Sequence, residues 1–326
     1  MSGMQWSGNP ETYAVILLCR LPPGLCYQEF PSFQMLRAQA FPNSLSGFLT
    51  FWFSRLVPSG LSAFRLPLYS IMRTYTANSI VLRRIDLGEK DRILTLYTRE
   101  AGKLSAVAKG ARRPGSKLAG ASEPFTYSKV FLSTGRELDV LTQAEIKESF
   151  PNVRQDIRAV AHGIYMLELT NQLTDEREPN PELFDTLLSA MYVLESGADP
   201  EITARYFELQ LLDMLGYAPQ FDVCLRCGKA SKQERIGFSP SLGGLVCDAC
   251  GTPPPDVIWV PSAIVSYVNA LRNAEPPKLK DMKFPPGARR DLANILKWHI
   301  RYRLEHDLKS TDFIDSISGF EEGRVV

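Results

Sequence analysis

The sequence offers little from which an active site could be assembled. It holds three histidines and six cysteines in 326 residues. It contains no Gly-x4-Gly-Lys phosphate loop, no G-x-S-x-G and no HExxH. These gaps favour a binding protein over an enzyme. No stretch approaches the roughly 18 uninterrupted apolar residues that a bilayer span needs, so no membrane partner is expected. There is no internal repeat of fixed period. Net charge is only +1, which by itself names no partner.

Residues 1–71 are the poorest part of the chain. They contain no Lys and no Asp, and their only charged residues are Glu11, Arg20, Glu29, Arg37, Arg55 and Arg65. Prolines at 10, 22, 23, 31, 42, 58 and 67 interrupt any periodic pattern. A secretory signal needs a basic start and a cleavage site of small residues, and both are missing. A transit peptide fits the scarcity of acids, and would send the protein to an organelle. The abrupt change of composition at Met72 favours a third reading, in which Met72 is the true start. In either case 1–71 is expected to form no stable core.

What the chain does have is a pair of cysteine knuckles. Cys224-Leu-Arg-Cys227 and Cys247-Asp-Ala-Cys250 are separated by residues 228–246. Two C-x-x-C turns at this spacing can aim four thiolates at one centre, a donor set that suits a single, structural Zn2+. A closed four-sulfur site leaves no position open for water, so it braces structure rather than catalyses. Two disulfides or free thiols are the alternatives. Cys19 and Cys26 are isolated, and this usage fits a reducing cytoplasm.

Charge is uneven along the chain. Residues 72–150 hold 14 basic and 9 acidic residues, 151–220 hold 4 and 12, and 272–309 hold 10 and 5. A basic–acidic–basic order suits a nucleic-acid binder with a protein-binding segment, although ordinary surface variation also produces such asymmetry.

Alternation predicts strands at Tyr75–Arg83, Arg92–Thr98, Lys103–Lys109, Phe125–Ser133 and Glu137–Ile146, with hairpin turns at Ala101-Gly102 and Thr134-Gly135. Five short strands in so few residues suggest a small closed barrel of the OB type, closure removing the exposed edges. The helix usual between the third and fourth OB strands is not evident, and a loop is expected there. That loop, with the strand before it, contributes Lys103, Lys109, Arg112, Arg113 and Lys117. No acid occurs from Ala101 to Ser122. Such a loop can contact phosphates, or can simply be a solvated surface. Of the aromatics Tyr75, Tyr97, Phe125, Tyr127 and Phe131, alternation assigns most to the core.

From Pro151 the period becomes helical. Helices are expected through Ile157–Leu167, through Leu183–Leu194 and, after an Asp199-Pro200 start, from Ile202 to Met214. The cysteine module interrupts this series at 221–255, with two short strands and a turn between its cysteine pairs. Helices resume through Ile264–Leu271 and Leu292–Ile300, the last bearing Arg289, Arg290, Lys297, Arg301 and Arg303. His299 and His306 lack metal-ligand neighbours. The expected organisation is therefore an α+β multidomain chain. An OB barrel covers 72–150, helices cover 151–220 and 256–320, and the zinc module is inserted at 221–255.

The run TANSIVLRRIDLGEKDRILTLYTREAGKLSAVAKGARRP resembles the N-terminal domain of the DNA repair protein RecO family. The later FSPSLGGLVCDAC resembles that family's cysteine region, and the likeness covers about residues 72–320. The resemblance implies an OB-fold that binds single- and double-stranded DNA and anneals complementary strands. It also implies a partner, RecR, with which RecA is loaded onto DNA coated by single-strand-binding protein. That protein's acidic, phenylalanine-ended tail is expected to dock in the helical domain. A cytoplasmic, nucleoid-associated location is implied, as is one zinc on Cys224, Cys227, Cys247 and Cys250. DNA contacts are expected from Arg83, Arg84, Arg92, Lys103, Lys109, Arg112, Arg113 and Lys117. The competing expectation is a zinc-stabilised protein-interaction scaffold that touches DNA only incidentally.

Overall fold

In the computed structural model, residues 73–230 and 233–321 are described, the last four without their side chains. The expectations for 1–71, including a start at Met72, fall outside these residues. Five strands open the described chain: β1 (Thr74–Leu87), β2 (Asp91–Thr98), β3 (Gly102–Ala108), β4 (Tyr127–Ser133) and β5 (Asp139–Glu148). They close in the order β1-β2-β3-β5-β4, with β3 and β5 parallel from Ala106↔Asp139 to Ala108↔Leu141 and every other pair antiparallel. This is the OB barrel that alternation suggested. Its interior is filled by Ala77, Val81, Leu94, Leu96, Leu104, Ala106, Val130, Leu132 and Leu141, small and large side chains together, as a tapering barrel requires.

Two details differ from expectation. A one-turn helix, α1 (Leu118–Ala121), stands between β3 and β4 where a loop was expected. Strand β1 runs on to Leu87, because a bulge between Val81 and Arg83 breaks the alternation without ending the pairing. Before the bulge, alternation puts Ala77 and Val81 in the barrel core while Ile80 and Leu82, on the other face, join a second, larger core.

That second core belongs to the helices. Helix α2 (Ile157–Leu173) is capped by Asp156, whose side chain accepts from the Arg158 N–H. Helices α3 (Pro181–Glu195) and α4 (Pro200–Met214) each begin with an Asn or Asp cap followed by proline. Such a start satisfies free N–H groups and needs no donor at the first position. Tyr97 of the barrel and Phe184 of α3 stack with centroids 6.3 Å apart, and Tyr127 meets the same ring edge-on at 6.2 Å. Gly163 of α2 allows the closest approach, since a Cβ there would lie 2.7 Å from the Phe125 ring. The barrel aromatics therefore serve mainly as packing surface: Tyr97 and Phe125 are buried, and Tyr127 is half-buried.

After α4 a three-stranded sheet forms in the order β7-β6-β8, from β6 (Arg235–Ser239), β7 (Gly244–Val246) and β8 (Ile258–Pro261). The third strand, lying beyond the proline run at 253–255, was not anticipated. Helices α5 (Ile264–Arg272), α6 (Pro286–Leu304) and α7 (Lys309–Glu321) complete the described chain. Helix α7 was also unanticipated. Its first N–H groups, those of Lys309 and Ser310, are capped by the Glu168 carboxylate of α2.

Candidate metal centre and nucleic-acid interface

The four cysteine sulfurs of the two knuckles lie within 4.8 Å of one another. They are free thiols, with Sγ–Sγ separations of 3.9 Å for Cys224–Cys250, 3.8 Å for Cys227–Cys247 and 3.3 Å for Cys247–Cys250. A tetrahedral ion with Zn–S bonds of about 2.3 Å demands sulfur–sulfur edges of about 3.8 Å, so the donor set fits the ion. Each knuckle places a glycine with positive φ after its second cysteine, Gly228 at +70° and Gly251 at +86°, the backbone setting that L side chains rarely adopt. Burial pushes the Cys224 thiol up. Backbone N–H groups of Cys227, Cys247 and Arg226 outweigh that and hold it down to about 6. Donors aimed at a sulfur favour the thiolate, the form that binds metal. The cluster can thus hold a metal ion such as zinc, with no position left open for chemistry.

The basic residues expected on the barrel divide into three groups. Lys109, Arg113 and Lys117 lie exposed on the β3–β4 connection, and among the described residues none has a salt bridge. The connection is held in place: the Gly110 N–H donates to Asp91 Oδ1 at 2.7 Å, the Arg112 N–H to the Lys90 carbonyl at 3.0 Å, and Arg112 Nη1 to the Gly88 carbonyl at 2.7 Å. It is therefore a shaped platform against the β1–β2 turn. Arg83 is exposed on β1, opposite Thr95 of β2.

Arg84, Arg92 and Arg112 form the second group, and acids reach them. Glu123 bonds Arg84 and lies 3.0 Å from Arg92. Asp86 lies 3.4 Å from Arg92 and 3.5 Å from Arg112. The sequence showed an acid-free stretch but not these partners, which come from β1 and from the residue just past that stretch.

Lys103 forms the third group, with its ammonium engaged inside the protein. Its ammonium donates to the carbonyl oxygens of Asn171, at 2.7 Å, and of Thr174, at the end of α2. Burial pulls its pKa down. The barrel surface around Lys103 is covered by the segment joining α2 to α3. The segment is fastened again by the Arg177 N–H to the Lys103 carbonyl at 2.8 Å and by Arg177 to buried Asp139 at 2.8 Å. Asp139 also accepts from the Tyr75 hydroxyl. Lys103 thus tethers the barrel to the end of α2.

A feature that sequence reasoning missed is a cleft of about 400 Å³ between α2, α4, α6 and α7. Arg158, Arg205, Arg289, Arg290 and Lys297 line it, with Glu201 and Asp315 opposing them. On its floor Arg205 pairs with fully buried Glu208 at 3.1 Å, and the Tyr165 hydroxyl donates to the same carboxylate. Burial raises the Glu208 pKa despite the Arg205 charge. Arg205 Nε has no hydrogen-bond partner among the described residues. The only sequence signal was the excess of base over 272–309, which gave no hint that α2 and α4 would add their arginines.

Comparison with known proteins bears on all of this. Residues 72–150 match the family described as "Recombination protein O N terminal" and residues 154–312 the family described as "Recombination protein O C terminal". A relative named DNA repair protein RecO from Pelotomaculum thermopropionicum is 39% identical over 244 residues, 75% of this chain and 94% of that protein. Proteins of the same name from Desulforamulus reducens and a Roseiflexus species are each 34% identical. The first aligns over 78% of this chain and 98% of its own length, the second over 75% and 86%. With both family regions matched in order and relatives aligned over nearly their whole length, the chain belongs to the RecO family of DNA repair proteins.

Proposed function

We propose that this protein is a non-enzymatic recombination mediator. It binds single- and double-stranded DNA on the barrel, anneals complementary strands and, with RecR, helps load RecA onto DNA coated by single-strand-binding protein. The observation that carries the DNA reading is the braced loop with exposed Lys109, Arg113 and Lys117, to which exposed Arg83 of β1 adds charge. Positive side chains on a fixed backbone release counterions from phosphates without first having to be ordered. Arg84, Arg92 and Arg112 add charge that Asp86 and Glu123 moderate. Lys103 is left out of the interface.

Zinc is assigned one structural place, on Cys224, Cys227, Cys247 and Cys250. There it ties the chain leaving α4 to the small sheet and so stiffens the helical body. The division into a barrel at 72–150, helices at 151–220 and 256–320 and a zinc module at 221–255 is kept as the working organisation. The acidic tail of single-strand-binding protein is assigned to the cleft, whose arginines suit carboxylates and whose volume suits a terminal aromatic ring. The test is an annealing assay on complementary strands coated with single-strand-binding protein. Annealing that Lys109→Ala/Arg113→Ala abolishes supports the reading, and annealing indifferent to that change refutes it.

The same cleft also supports the second reading, an interaction scaffold without a direct DNA role. Under that reading, partner capture survives nuclease treatment, and the chain alone retains no DNA on a filter.

A further inference from the structure

Helix α6 carries a second set of exposed groups that neither the barrel face nor the cleft uses. Trp298 and Tyr302 stand one turn apart, 48% and 51% exposed. The Arg301 guanidinium lies 5.0 Å from the Trp298 ring. Arg303 lies 5.7 Å from the Tyr302 ring and 5.8 Å from that of Tyr217, which is itself 43% exposed. Rings and planar cations therefore alternate along one strip, with Trp298, Arg301 and Tyr302 exposed and Arg303 half-buried. Single exposed apolar side chains are ordinary, whereas a contiguous set marks a contact surface.

The strip is also held in shape. His299 Nε2 sits 2.8 Å from the Tyr217 carbonyl oxygen. Arg303 runs across Gly243 so closely that a Cβ there would meet its Nη2 at 2.9 Å. The Arg303 Nε is buried with no hydrogen-bond partner among the described residues. Charge decides what kind of partner fits. Arg289, Arg290 and Lys297 of α6 belong to the cleft, so the strip's own cations are Arg301 and Arg303, with the acids Glu305 and Asp307 following the helix. Asp307 pairs with Arg301 at 3.3 Å, but through exposed side chains, a weak contact that a phosphate can displace.

We propose that this strip is a second site for single-stranded nucleic acid, with unpaired bases stacked on Trp298 and Tyr302 and backbone phosphates met by Arg301 and Arg303. Every base presents a π-face, so such a site tolerates any sequence, while duplex bases, already stacked on one another, are excluded. The proposal rests on the DNA-handling role above, since a protein that pairs complementary strands must hold one while the other lies on the barrel.

The test uses the full chain with fluorescent oligothymidylate and a hairpin duplex as probes. Trp298→Ala/Tyr302→Ala is expected to weaken oligothymidylate binding at least about tenfold and leave duplex binding unchanged. Trp298→Phe/Tyr302→Phe should restore most of the loss, because phenyl rings still stack. Lys109→Ala/Arg113→Ala should weaken both probes. If the alanine pair binds oligothymidylate as the wild type does, the proposal is overturned and the strip is left to a protein partner. If the aromatic pair matters and the loop pair does not, the barrel reading fails while the α6 site stands.

Discussion

The Glu123 carboxylate lies 3.0 Å from the Arg92 guanidinium and also bonds Arg84, so one acid restrains two of the barrel's cations. At the surface, removing that charge changes the interaction with a nearby phosphate by about 1 kcal/mol at low salt, roughly a fivefold change in affinity. Glu123→Gln is therefore expected to tighten DNA binding by about that factor, with the gain fading as salt rises. A filter-binding titration at two salt concentrations checks it. Weaker binding would mean that Glu123 positions the arginines rather than offsetting them.

The Lys103 tether gives a stability prediction. A hydrogen bond from a charged donor to a carbonyl is worth about 1.5–3 kcal/mol, and Lys103 makes two such bonds at the end of α2. Lys103→Met is expected to lower stability by about 2 kcal/mol while leaving DNA affinity unchanged at temperatures where the variant is folded. Denaturant unfolding with a parallel binding titration separates the two effects. A large loss of affinity without loss of stability would return Lys103 to the interface.

The metal centre predicts one zinc per chain by elemental analysis. Structural zinc couples about 10–16 kcal/mol of binding to local folding, so a strong chelator should unfold the small sheet and lower the melting temperature. Cys227→Ala should mimic it, although Cys227 is exposed and packs little. A chelated chain that melts as before would show that the thiols brace nothing.

His162 sets an acid limit. Burial first, then the charges of Arg205 and Arg158, hold its pKa down to about 4, against the upward pull of the Arg158 carbonyl and Asp199. In the unfolded chain it titrates near about 6.5. The unfolded state therefore binds the proton first. The stability is fully present above about pH 6.5 and is lost progressively as pH falls towards about 4, by roughly 3 kcal/mol at most. His162→Gln should flatten that part of the stability–pH curve, measured by urea unfolding. An unchanged curve would assign the acid limit to other groups.

What the sequence made legible follows the range of the forces involved. The barrel was readable because Leu94, Leu96, Leu104, Ala106, Val130 and Leu132 alternate inward, and alternation is a local signal. The cysteine knuckles were readable because ligand geometry fixes their spacing. The bulge after Val81 was not, since an extra residue leaves no compositional trace. The Lys103 tether was not readable, because a basic stretch in the sequence does not show which later segment will cover it. The cleft escaped because Arg158, Arg205 and Arg289 meet only when α2, α4 and α6 pack.

The most direct measurement is the salt dependence of single-strand affinity for the wild type and for Lys109→Ala/Arg113→Ala/Lys117→Ala. Each lost phosphate contact should make the log–log slope shallower by about 0.7. The triple variant is thus expected to bind more weakly and to lose about 2 units of slope. A triple variant with the wild-type slope and affinity would place DNA elsewhere on the molecule.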